Sequence, residues 1–203
     1  MYYVIDIKEQ NDILGKVSKI YKYNEILLQE LELSEIFKYG IIFDESVTFN
    51  DEFILILEVC IKYFEDNDIN IFVPDEKYIK NFSNENFFPS LNILKKDFFD
   101  KTAILKTLNE YPLAEDIDDW MYLSAVNICA YSSSFKWIFS YNKLNNTACF
   151  ASNEKDFLIK LKDKYKKMFA DPFIPINELI KDYKFAKNKT EFNKLPIAKL
   201  EII

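Results

Sequence analysis

The chain has no histidine and no arginine; its 26 basic residues are all lysine, and Gly15 and Gly40 are its two glycines. Without imidazole the commonest general acid–base group is missing, and the Ser132-Ser133-Ser134 run has no partner for a serine triad. Without guanidinium no bidentate clamp on a phosphate can form. So few glycines leave no phosphate-cradling loop and no dinucleotide fingerprint. Cys60, Cys129 and Cys149 stand singly in apolar runs with no CxxC spacing, which reads as buried free thiols in a reducing compartment. Met1-Tyr2-Tyr3-Val4-Ile5-Asp6 lacks the basic and apolar regions of a signal peptide, and Glu58 soon breaks the apolar run Phe53–Leu57. No run approaches the ~18 apolar residues of a membrane span. The expectation is a cytoplasmic chain with no membrane contact. Any enzyme here would have to work with acids, lysines or tyrosines alone, so the chain reads as a non-enzyme that needs no cofactor.

What is present is a core. At 203 residues, with 49% hydrophobic and 17% aromatic side chains, the chain can bury roughly 70% of its unfolded surface without metals or disulfides. It reads as one globular domain over 1–203, with a helical C-terminal appendage from about 153 as the variant of that reading. The expected fold class is α+β, a mixed β-sheet of four to six strands with packed helices.

The organising stretch runs from Tyr39 to Pro74. Tyr39-Gly40-Ile41-Ile42-Phe43, a helical run, and Ile69-Asn70-Ile71-Phe72-Val73 together predict a central βαβ unit with its two strands side by side in parallel. Thr48 or Asn50 can cap the helix, with Asp51 and Glu52 in its first turn. From Phe53 to Phe64 ten residues are apolar or aromatic, against a stripe of Asp51, Glu58, Lys62 and Glu65. Such a helix must be covered on most sides. Burying six or seven of its large side chains contributes roughly 10–15 kcal/mol before entropy, and a cap about 1, so packing decides it.

Elsewhere, residues 2–7 read as a first strand. Helices are expected over Asp12–Tyr21, Asn24–Phe37, Leu91–Leu108 and Asp116–Tyr131. Phe135, Trp137, Phe139 and Tyr141 alternate with Lys136, Ile138 and Ser140, and Asn142 to Asn146 supplies a turn before Thr147–Ala151. This predicts a C-terminal β-hairpin. Asn153 and Asp156 can start a helix over Phe157, Leu158, Leu161, Tyr165 and Met168, and a short helix is expected over Asn177–Ala186.

Charge is unevenly spread. Residues 1–120 hold 12 lysines against 25 acids, net −13, and residues 121–203 hold 14 lysines against 8 acids, net +6. The densest acidic cluster is Glu115-Asp116-Ile117-Asp118-Asp119. It suits a helix N-terminus, a surface for a basic partner, or a Mg²⁺ site through Asp116, Asp118 and Asp119. With Asp44, Glu45, Asp66 and Asp68 at the ends of the βαβ unit, Glu115, Asp116, Asp118 and Asp119 are the candidate partner-binding residues. Lys160, Lys162, Lys164, Lys166 and Lys167, with Tyr165 and Phe169, read as the wet side of an amphipathic helix. The negative net charge and the lack of arginine argue against nucleic acid. Asp75-Glu76-Lys77 and Asp182-Tyr183-Lys184 are similar to a short acid-x-Lys nuclease element, but the second stands in a helical context.

Tyr39–Phe43, the helix from Asn50, Ile69–Val73 and Trp137-Ile138-Phe139-Ser140-Tyr141 give the chain a pattern-level likeness over about half its length. In style it resembles the immunity proteins of bacterial polymorphic toxin systems. That resemblance implies a small acidic cytoplasmic protein that inhibits a cognate toxin, often a nuclease, by forming a tight complex. Two other functions fit the same features: a metal-dependent enzyme using the carboxylate cluster, and a phage-encoded inhibitor or adaptor of a host protein.

Overall fold

In the computed structural model the described residues are 1–4, 6–17, 36–44, 51–74, 90–110, 127–142, 147–168 and 200–203. In chain order they form β1 (Tyr2–Tyr3), α1 (Ile7–Val17), β2 (Tyr39–Asp44), α2 (Asp51–Phe64), β3 (Asp68–Phe72), β4 (Ser90–Leu94), a 3-10 helix (Lys95–Phe99), α3 (Lys101–Glu110), β5 (Asn127–Ser132), β6 (Trp137–Asn142), β7 (Thr147–Ser152), α4 (Lys155–Met168) and β8 (Glu201–Ile202). One mixed eight-stranded sheet has the order β1-β4-β3-β5-β6-β7-β2-β8. The class is α+β, as expected from the sequence.

The strand–helix–strand order of residues 39–74 holds, but its pairing does not. β2 and β3 run in the same direction yet lie four places apart, with β7, β6 and β5 between them. Instead, β2 pairs antiparallel with β7 and in parallel with β8, Tyr39 opposite Glu201. Local periodicity reports the elements; it does not report that a later three-strand meander inserts between them. That meander contains the predicted hairpin: β6 and β7 pair from Trp137↔Ser152 to Asn142↔Thr147. Phe135 is not part of it. Its φ of 53° places it in the left-handed region, where its ring packs against Tyr131 at 5.5 Å and Phe37 at 5.8 Å.

Three helix boundaries differ for a capping reason. α1 starts at Ile7 because the Asp6 carboxylate accepts the Glu9 N–H at 2.9 Å. The expected helix over Leu91–Leu108 begins as strand β4. The Asp97 carboxylate then accepts the Leu94 N–H at 2.8 Å and the Met1 amino group, which closes the 3-10 turn. Asp100 takes the Ala103 N–H at 3.0 Å and starts α3. The last residues of the expected helix Asp116–Tyr131 are β5, paired with β3 and β6. The expected helices Asn24–Phe37 (up to residue 35) and Asn177–Ala186 lie outside the described residues, as do Thr48 and Asn50.

The sheet is buried on both sides. One face presents Ile41, Ile69, Ile71, Leu91, Ile93, Ile128, Ala130, Trp137, Phe139, Tyr141, Ala148 and Phe150 to α2, α3, α4 and the 3-10 helix. Phe53 of α2 meets Phe139 at 5.3 Å, and Phe157 of α4 meets Phe64 at 4.7 Å. α4 buries Phe157, Leu158, Leu161 and Tyr165 in the same core. The helices are also tied to one another: Glu58 of α2 pairs with Lys62 and with Lys101 of α3. At the end of α2, Glu65 takes a left-handed φ of 56° and the Asp66 N–H reaches the Ile61 carbonyl at 3.1 Å, a Schellman-type stop. The opposite face carries Ile42, Asn70, Phe72, Ser90, Asn92, Cys129, Tyr131, Ile138, Ser140, Cys149 and Ala151, all buried. α1 docks against the β1 side of that face through Gln10, whose amide donates to the Val4 carbonyl. The three cysteines are free and buried, as expected. Burial pushes the Cys149 thiol up to about 12.

Candidate functional site

Of the candidate partner-binding residues, Glu45, Glu115, Asp116, Asp118 and Asp119 lie outside the described residues, as do Asp75-Glu76-Lys77 and Asp182-Tyr183-Lys184. Asp44 ends β2 opposite Thr147. Asp66 is 6% exposed and accepts the Trp137 indole N–H at 3.4 Å. Asp68 is half-buried at the start of β3; it accepts the Asn92 amide at 3.1 Å and the Ser133 N–H at 3.2 Å. Among the described residues no three His, Cys, Asp or Glu side chains come together as a metal site, and Asp116, Asp118 and Asp119 are not among them.

Among the described residues, four of the late lysines, Lys136, Lys155, Lys160 and Lys162, are built into the fold. On α4 the apolar face of Phe157, Leu158, Leu161 and Tyr165 turns inward. Lys155 pairs with Glu201 of β8 at 2.6 Å and lies over the Tyr39 ring at 5.4 Å. Lys160 lies over Tyr63 of α2 at 5.1 Å, and Lys162 donates to the Ile203 carbonyl at 2.6 Å. Lys136 lies over Phe64 at 5.8 Å. Each ammonium is drawn to the negative face of the ring beneath it. They hold α4 and β8 against β2 and α2.

A polar site that sequence reasoning missed lies under α1. The register sets Tyr2 opposite Asn92, Asn92 opposite Asn70, and Asn70 opposite Tyr131, a transverse row across β1, β4, β3 and β5. Ser90 stands two residues from Asn92 on the same face of β4. The Asn92 amide donates to both Asp68 and Asn70 at 3.1 Å, which holds its carbonyl oxygen at the same spot. Among the described residues, that oxygen, the Ser90 hydroxyl and the Tyr131 hydroxyl are buried without a hydrogen-bond partner. At the rim the Tyr2 hydroxyl donates to Glu9 of α1 at 2.8 Å. Burial, the Glu9 hydrogen bond, and the charges of Glu9 and Asp68 push the Tyr2 phenol up to about 12. Burial first, and then Cys129, Asp12, Asp68 and Glu9, push Tyr131 up as well.

Why the sequence hid this row is clear from its parts. Asn70 and Asn92 each interrupt an apolar run, in Ile69-Asn70-Ile71 and Leu91-Asn92-Ile93, and asparagine is depleted from strands. That was the available signal. Leu91–Ile93 and Tyr131 were read as helical, however, and no local pattern brings the four residues together.

No protein-family model matches the chain, and comparison with curated proteins and with solved structures finds no match either. Among the described residues no helix is long and apolar enough to cross a membrane.

Proposed function

We propose that this is an acidic binding protein that neutralises a cationic protein partner in the manner of an immunity protein, by occupying a basic toxin domain in a tight complex. The observation that carries the reading is the charge imbalance, −13 over residues 1–120 against +6 over the remainder. Such a field draws in a cationic surface and raises the association rate, with an effect that shrinks as salt rises. The residue inventory supports binding over chemistry, since both imidazole and guanidinium are missing. On α4 three lysines are committed within the fold, Lys155 to Glu201 and Tyr39, Lys160 to Tyr63 and Lys162 to the Ile203 carbonyl.

The test begins with an affinity pull-down from the native organism to obtain the partner. Reversing Asp116, Asp118 and Asp119 to lysine is then expected to slow association at low salt at least about tenfold. Dissociation should change less, and the salt dependence of the on-rate should flatten. An on-rate that is indifferent to salt in the unmodified protein rejects the reading.

A further inference from the structure

We draw no further inference here: the strongest candidate, the edge of the sheet at β1, where Tyr2, Ile7 and the Phe99 that follows the Met1–Asp97 contact are exposed, carries none, because nothing in the structure shows what covers it.

Discussion

The two faces of the sheet are both buried, yet they are built from different chemistry. On the face under α2, α3 and α4 the strands contribute almost only aliphatic and aromatic side chains, from Ile69 and Leu91 to Phe139 and Phe150. On the face under α1 the same strands place Asn70, Asn92, Ser90 and Tyr131 side by side. Stability and specificity are thereby divided. The first face supplies non-directional burial, which tolerates volume-conserving exchange. The second fixes the register of β1, β4, β3 and β5 through directional bonds, because a one-residue slip would move Asn70 and Asn92 into the aliphatic core. The second face also carries a cost the first does not, since the Asn92 carbonyl oxygen and the Ser90 and Tyr131 hydroxyls are buried there without a hydrogen-bond partner among the described residues.

This division predicts unequal responses to substitution. Phe139→Ala should cost most, about 3–5 kcal/mol in chemical denaturation, because the ring is fully enclosed between Phe53 and Phe150 and the site cannot collapse. A cost below about 1 kcal/mol would mean that the aliphatic face does not carry the stability. On the other face, Asn92→Ala removes a double donor and leaves Asp68 and Asn70 short of a partner. The expected cost is about 1–3 kcal/mol, with amide hydrogen exchange quickening in β3 and β4 before β6 and β7.

The sequence was informative where structure is local. The amphipathic run Phe53–Phe64, the alternation of Trp137, Phe139 and Tyr141, and the turn before Thr147 each report a single element, and each element is there. Order in the sheet was not legible, because β3 pairs with β5 across more than fifty residues of chain and pairing at that range leaves no periodic trace. Leu91–Ile93 failed for another reason. A short apolar run is compatible with helix and strand alike, and only the Asp97 and Asp100 caps, which act through backbone geometry, separate β4 from α3. The acidic residues were legible as charge but not as roles: Asp66 serves Trp137, and Asp68 serves Asn92 and Ser133.

Glu58→Gln gives a smaller and pH-dependent effect on the outer side of the helical layer. Burial raises the Glu58 carboxyl pKa, but Lys101 and Lys62 outweigh it and hold it below the usual carboxylate value. A lowered folded-state pKa contributes stability that is present above the unfolded value of about 4.3 and is lost as pH falls through the folded one. The variant should therefore be about 0.5–1 kcal/mol less stable than the parent at neutral pH, and the gap should close in acid. A gap that widens on acidification would show that the two lysines do not set the titration of Glu58.

The smallest effect is expected at Tyr131, and it sharpens the contrast most. A hydroxyl that stabilised the fold through a hydrogen bond would cost about 0.5–1.5 kcal/mol to remove. The Tyr131 hydroxyl has no hydrogen-bond partner among the described residues, while its ring packs edge-on against Phe135. Tyr131→Phe keeps the ring and discards an unsatisfied polar atom, so the melting midpoint should stay level or rise slightly. A destabilisation above about 1 kcal/mol would place Tyr131 with Asn92 among the residues that fix register.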